Sequence, residues 1–266
     1  MPNKELISVI LPCLNGSLTL EKCLKSINDQ NISLELVFIN DGSTDETLSV
    51  INNFKFNSNI SLKLISRENK GFQYSLDEGI KKSTGEFIAR IDADDYWSNN
   101  HLKLLKDEFQ KNSEYVLLGS SAFIVDDNDN IIENYEVPYS HKEIIKHLHK
   151  DSPFIHSSVI FKKSDYLKTT GYLIGTDLKS MHIADYNLWF EFSKIGICKN
   201  IPKETLYYRK SINSISRTLN RQLNYSARLL VMKRVNRYYK SYRFYSFLQR
   251  LKVEIRIIQY YINRLF

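Results

Sequence analysis

The first hundred residues alternate short β-branched, aliphatic runs with stretches of helical spacing, and nothing else in the chain constrains its fold as much. Residues 7–11 form an apolar run of the kind expected for a strand buried on both faces. Leu20, Cys23, Leu24 and Ile27 then fall on one helical stripe. Residues 34–39 form a second strand. Ser43 with Glu46 has the spacing of a capping box and opens a helix carrying Leu48, Ile51 and Phe54. Residues 62–65 are a third strand, and Gly71 precedes a helix with Phe72, Leu76 and Ile80 on one stripe. A fourth strand, 87–91, runs into Asp92-Ala93-Asp94-Asp95, and a helix at 100–110 follows. Strands joined by helices through such short connections form right-handed βαβ units and a parallel sheet. Ligands of such sheets bind beyond the carboxyl ends of the strands, which puts Asp41 and the 92–95 cluster on one rim.

Beyond Gln110 the pattern is mixed. Strands are expected at 115–125 and 130–136, around Asp-Asn-Asp turn signals, with a helix at 141–150 and a strand at 157–161. Asp185 opens a helix with Leu188, Trp189, Phe192 and Ile195 as its apolar stripe, and strands at 197–201 and 206–209 follow. Residues 171–184 show no clear periodicity and are long enough for a mobile loop over a site. This half is expected to carry the acceptor side of any site.

Charge divides the chain differently. The net charge of +7 hides a tail, residues 217–266, with twelve Lys and Arg against the single Glu254, a net of +11. The body, 1–216, is acidic at −4. Leu229, Leu230, Val235, Leu248, Leu251, Ile255, Ile258 and Ile262 have helical spacing in the tail, and tyrosines interleave with the bases. A basic, aromatic, amphipathic helix suits an anionic bilayer surface; a helical pair packed on the body is the alternative. No nucleic-acid-reading motif accompanies the tail, so nucleic acid is not an expected partner. Three cysteines without C-x-x-C spacing fit a reducing compartment. Neither a signal-length apolar segment nor a run of about 18 apolar residues is present, so a cytoplasmic chain is expected, peripheral at the inner face of the plasma membrane if the tail binds it.

The densest chemical signal is the 92–95 cluster. In an extended segment Asp92 and Asp94 point to one side, and like charges so close call for a cation. Hard carboxylate oxygens suit Mg²⁺ or Mn²⁺, which keep places for substrate phosphates. Asp41, at the end of the second strand, can accept from a base N–H in the crevice where nucleotides sit.

Four ordered motifs carry a resemblance. Ser8-Val9-Ile10-Leu11-Pro12-Cys13-Leu14-Asn15, Val37-Phe38-Ile39-Asn40-Asp41-Gly42-Ser43-Thr44-Asp45, Gly85-Glu86-Phe87-Ile88-Ala89-Arg90-Ile91-Asp92-Ala93-Asp94-Asp95 and Ala184-Asp185-Tyr186-Asn187-Leu188-Trp189 resemble the successive signatures of family 2 glycosyltransferases. The resemblance spans about residues 6–210. It implies a GT-A fold: an α/β, Rossmann-like, mostly parallel central sheet flanked by helices, here with a C-terminal helical extension. The domain would cover 1–216, with a nucleotide-binding half (1–110) and an acceptor-side half (111–216), followed by the 217–266 tail. It implies inverting, non-processive transfer of a sugar from a nucleotide-sugar, a UDP-sugar favoured, to a hydroxyl of a glycan or lipid-linked acceptor in bacterial surface polysaccharide synthesis. Pro12, Leu14 and Asn15 would lie near the nucleoside, Asp41 on the base and Lys70 near the nucleotide. Asp92, Ala93, Asp94 and Asp95 would meet the ribose and the Mn²⁺ or Mg²⁺ on the diphosphate, with Asp92, Asp94 and Asp95 as metal ligands. Asp185 would be the general base.

The sequence departs from the family at two places. Leu76-Asp77 stands where members often have Arg-Asn, and Lys210 follows Tyr208-Arg209 near where many carry a histidine. His156 lies near a strand start and is a candidate to approach the acceptor. Two rival readings exist: a sugar nucleotidyltransferase, whose Gly-rich phosphate loop Pro12–Gly16 does not supply, and a non-catalytic nucleotide-sugar or glycan-binding module.

Overall fold

A computed structural model describes residues 3–172, 184–210, 221–240, 248–249 and 251–255. The first half alternates as the sequence pattern demands: β1 (Asn3–Cys13), α1 (Leu20–Asn28), β2 (Leu34–Asp41), α2 (Thr47–Asn53), β3 (Ile60–Arg67), α3 (Phe72–Lys82) and β4 (Gly85–Arg90). β1 pairs in parallel with both β2 and β4, and β2 with β3. Period-two alternation then separates the side chains. Ile10, Val37 and Ile39 face α3, with Leu76 and Ile80 packed on them. Val9, Leu11, Leu36 and Phe38 face the other side, with Leu24 and Ile27 of α1. A parallel sheet covered on both faces explains why these strands are apolar without interruption.

The second half supplies β5 (Tyr96–Trp97), α4 (His101–Phe109), β6 (Tyr115–Val125), β7 (Ile131–Tyr135) and α5 (His141–Leu148). A 3₁₀ turn (His156–Ser158), β8 (Ile160–Lys162), α6 (Lys163–Tyr166), α7 (Ala184–Ile195) and β9 (Ile197–Arg209) follow. The sheet order is β3-β2-β1-β4-β8-β6-β9-β5, with β7 on β6. Short β8 runs antiparallel between β4 and β6 and welds the halves into one curled sheet. The segments expected as two strands, 197–201 and 206–209, form the single bulged β9, parallel to β6.

Two local expectations fail: the strand expected at 157–161 begins only at Ile160, because His156–Ser158 form the 3₁₀ turn, and the start of α2 is differently capped. Ser43 and Glu46 do not form a capping box; α2 begins at Thr47, and Glu46 caps with no side-chain hydrogen bond. Asp45 takes that place, its Oδ1 accepting from the Thr47 amide at 3.0 Å and hydroxyl at 2.5 Å. The working capping box lies instead on α5, where Ser140 and Glu143 bond reciprocally.

The helix α8 (Arg221–Tyr238) lies against α7. Val231, Met232 and Val235 are fully buried in the core that holds Trp189 and Phe192. Arg234 pairs with Glu191 at 3.0 Å, and the Tyr239 hydroxyl donates to the Ser193 carbonyl at 2.6 Å. Among the described residues no helix is long and apolar enough to cross a membrane. Most of the 171–184 loop and the tail segments 211–220, 241–247 and 256–266 lie outside the described residues.

Candidate active site

The carboxyl ends of β1, β2 and β4 build one rim. At β1, Pro12 is buried in the strand, Leu14 is exposed, and Asn15 turns the chain with a positive φ of 54°. The Asn15 side chain accepts from the Thr44 amide at 2.8 Å, and the Ser43 hydroxyl accepts from the Asn15 amide at 3.0 Å. The loops after β1 and β2 are thus stitched together. Gly16 is required at this seam, because a Cβ there would sit 2.5 Å from the Cys13 Sγ and 3.4 Å from Ala93.

Asp41 ends β2 and is buried. Its Oδ1 accepts from the Lys70 amide at 2.8 Å and from Arg67, and its Oδ2 from the Gly71 amide at 3.0 Å. Arg67 also bonds Glu78 at 2.7 Å. Asp41 therefore fixes the turn into α3, where Gly71 adopts φ 92°, and keeps part of its acceptor capacity. Lys70 is exposed, its ammonium 5.0 Å from the Tyr74 ring.

At β4 the chain leaves the sheet into the acidic cluster. One carboxylate oxygen from each of Asp92, Asp94 and Asp95 lies within 4.8 Å of the others. Burial, then the charge of Asp92, pushes Asp94 up to about 6. Burial, then Asp94 and Asp92, raises Asp95 well above its usual range. Asp95 Oδ1 accepts from the Arg209 amide at 2.9 Å, while its Oδ2 is buried with no hydrogen-bond partner. A buried, unpartnered carboxylate oxygen facing two more carboxylates fits a hard divalent cation, so the donor set matches the Mg²⁺ or Mn²⁺ expected.

Asp92 is held differently. Both terminal nitrogens of Arg90 bond its carboxylate, and the Ser157 hydroxyl joins at 3.3 Å. Arg90 is 1% exposed, with its guanidinium 5.1 Å from the Phe72 ring.

Asp185 opens α7, half-buried, with its Oδ1 accepting from the Tyr186 amide at 2.7 Å. Burial raises its pKa, and Arg90 opposes the rise. Tyr172 joins the two sides of the rim. Burial drives its hydroxyl far above the usual range, Arg90 acts against this, and the charges of Asp185 and Asp92 add to it. His156 Nε2 lies 2.7 Å from that hydroxyl, in a box formed by Phe72, Tyr172 and Trp189. Burial and the Arg90 charge hold His156 neutral at pH 7.

The sequence reading had not singled out Arg90, Tyr172, Ser157 or Tyr208. Burial raises the Tyr208 hydroxyl, and the charges of Asp95, Asp92 and Asp94 add to the rise. Of the two departures from the family pattern, Leu76 is core, and Asp77 accepts from the Tyr166 hydroxyl at 2.9 Å and pairs with Lys81. Lys210 is exposed; it is Arg209 that reaches the cluster, its Nε donating to the Asp94 carbonyl at 3.1 Å.

The model of the family described as glycosyl transferase family 2 matches residues 8–169. An uncharacterized glycosyltransferase of Haemophilus influenzae is 29% identical over 97% of this chain and 79% of its own length. The chondroitin synthase of Escherichia coli is 26% identical over 74% of this chain, which spans only 28% of that protein. Among solved structures, S. aureus TarS 1-349 in complex with UDP-GlcNAc superposes with a TM-score of 0.67 at 20% identity, covering 85% of this chain and 65% of that one. The likeness in structure extends the GT-A fold to the second half of the sheet.

Proposed function

Because the chain belongs to glycosyl transferase family 2 and is a glycosyltransferase by that membership, we propose that the rim is an active site in which Asp185 acts as general base for an inverting sugar transfer. The observation that carries this reading is the chain of contacts from β4 to α7: Arg90, bonded to Asp92, lies 5.1 Å from the Phe72 ring, and Phe72 packs on His156 beside Trp189 of the helix that Asp185 opens, although Asp92 and Asp185 come from opposite halves of the sheet. Inversion needs that separation. A base must take the proton from the acceptor hydroxyl on one side of the anomeric carbon while the diphosphate leaves from the other.

Asp185 removes the acceptor proton, the hydroxyl oxygen bonds to the anomeric carbon, and the bond from that carbon to the diphosphate oxygen breaks. Burial brings the carboxyl of Asp185 closer to the working pH, which suits a base. Asp92, Asp94 and Asp95 would hold a Mn²⁺ or Mg²⁺ ion, which would supply positive charge for the departing nucleoside diphosphate. Pro12, Leu14 and Asn15 line the nucleoside, and Asp41 accepts from the base with the capacity its three bonds leave. Lys70 adds positive charge beside the nucleotide, and Ala93 sets the close approach of the cluster to the Gly16 turn.

A UDP-sugar is the donor we favour; the relative solved with UDP-GlcNAc supports that choice. The acceptor is a glycan or a lipid-linked sugar of a bacterial surface polysaccharide, and the likeness to a chondroitin synthase supports a polysaccharide product. The basic tail places the enzyme at the inner face of the plasma membrane through anionic lipid. The direct test is a thermal-shift panel of UDP-, GDP-, dTDP- and CMP-sugars with and without Mn²⁺. Stabilisation selective for a UDP-sugar and dependent on the metal is expected. No stabilisation by any nucleotide-sugar contradicts the reading.

A further inference from the structure

Arg209 ends β9 with its side chain only 7% exposed, and a buried guanidinium is costly without an anion beside it. The acidic cluster is at hand: the Arg209 amide donates to Asp95 Oδ1 at 2.9 Å, and its Nε to the Asp94 carbonyl at 3.1 Å. The other two nitrogens turn elsewhere. Nη1 donates to the Asp126 carbonyl at 2.8 Å, and Nη2 bonds the carboxylate of Asp129. The guanidinium is still felt at the cluster: burial and Asp92 raise the Asp94 carboxyl, while Arg90 and Arg209 hold it down.

The spacing marked Asp127-Asn128-Asp129 only as a turn. Asp129 lies in the hairpin between β6 and β7 at φ 66°, a left-handed position that aspartate tolerates. Asp126 fixes that hairpin. Its Oδ1 accepts from the amides of Asn128 and Asn130, both at 2.9 Å, and its carbonyl accepts from the Asp129 amide at 3.1 Å. A second cation meets Asp129 from α1: Lys22 Nζ lies 2.6 Å from its carboxylate and 3.8 Å from the centre of the Tyr96 ring. The side chains of Lys22 and Asp129 are 40% and 36% exposed, and so open a pair adds only about 0–1 kcal/mol to stability. Stability is therefore a weak reason for the network, and placement is the stronger one. Without Asp129, two positive charges beside the cluster would lose their shared counter-ion, and Asp94 and Asp95 would be the carboxylates left for Arg209. A guanidinium paired there opposes a divalent cation by its charge and occupies the oxygens that would bind it. We propose that Asp129 is a positioning residue that draws the Arg209 guanidinium and the Lys22 ammonium away from the carboxylates after β4, and so keeps that site open to a divalent cation. This rests on the reading of Asp92, Asp94 and Asp95 as a cation site.

The test is Mn²⁺ titrated into the full chain, alone and with UDP, followed by electron paramagnetic resonance at low and high salt. Asparagine tolerates the same left-handed turn and removes only the charge, so Asp129→Asn isolates the effect. It is expected to weaken Mn²⁺ binding about tenfold at low salt, with a smaller loss at high salt. Adding Lys22→Met removes one of the two uncompensated cations and is expected to regain about threefold of that loss. A role confined to the shape of the hairpin would show neither the salt dependence nor the regain. Mn²⁺ affinity of Asp129→Asn within twofold of native overturns the proposal, and so does a loss that Lys22→Met leaves unchanged. The native chain separates this result from the reading beneath it. No Mn²⁺ binding by the native chain, with or without UDP, would contradict the cation site itself; native binding that Asp129→Asn does not alter contradicts only the role of Asp129.

Discussion

Asp185 can accept a proton only while ionised, and burial lifts its carboxyl above the usual 3.8. Loss of its charge on acidification should therefore remove activity at a higher pH than for an ordinary aspartate. The acid limb of the pH profile of kcat/KM is expected at higher pH than an unperturbed aspartate would give, with the rate falling as pH drops through that limb; a limb no higher than that of an unperturbed aspartate would contradict the role. The role of Asp185 as base comes only from the family resemblance; its place at the start of an apolar helical stripe was legible in the spacing. Its surroundings were not. Arg90 reads as one polar position in an apolar strand, and Tyr172 has no periodic context at all. Their importance comes from contacts with Asp92, Ser157 and His156, brought together by strand pairing that spacing does not encode.

At the scale of elements, β1 to β4 and their helices were legible because each is long enough to show its period. β5, only Tyr96–Trp97, shows none and exists through its pairing with β9. The start of α2 was misplaced because the Asp45 carboxylate reaches Thr47 and leaves the Ser43 hydroxyl to the Asn15 amide. Helix α3, which leads from the Lys70–Gly71 turn, shows how tightly such elements are seated. A Cβ on Gly79 would lie 2.8 Å from both Ile10 and Ile39 of the sheet beneath. Alanine is the better helix former by about 1 kcal/mol, yet overpacking of this kind costs about 1–3 kcal/mol. Gly79→Ala is therefore expected to lower the denaturation midpoint in urea; a midpoint that rises would show that the helix can lift off the sheet at no cost.

The whole molecule joins an acidic body to a basic tail, and α8 shows how one helix meets two demands. Val231, Met232 and Val235 are buried on the body, while Lys233, Arg237 and Lys240 are exposed, as are Leu251 and Ile255 further on. Charge on that outer face contributes about 1 kcal/mol per base near an anionic bilayer and is screened by salt. Co-sedimentation with phosphatidylserine vesicles at low salt and release at high salt are expected; no binding at low salt would confine the tail to packing. The body carries the chemistry, and its central claim is that Asp185 and the β4 carboxylates serve one reaction. The measurement that tests this most directly compares Asp185→Asn with the native chain for nucleotide binding and for sugar transfer. Binding within a few-fold of native and transfer lowered about a hundredfold or more are predicted; transfer at the native rate would contradict the account.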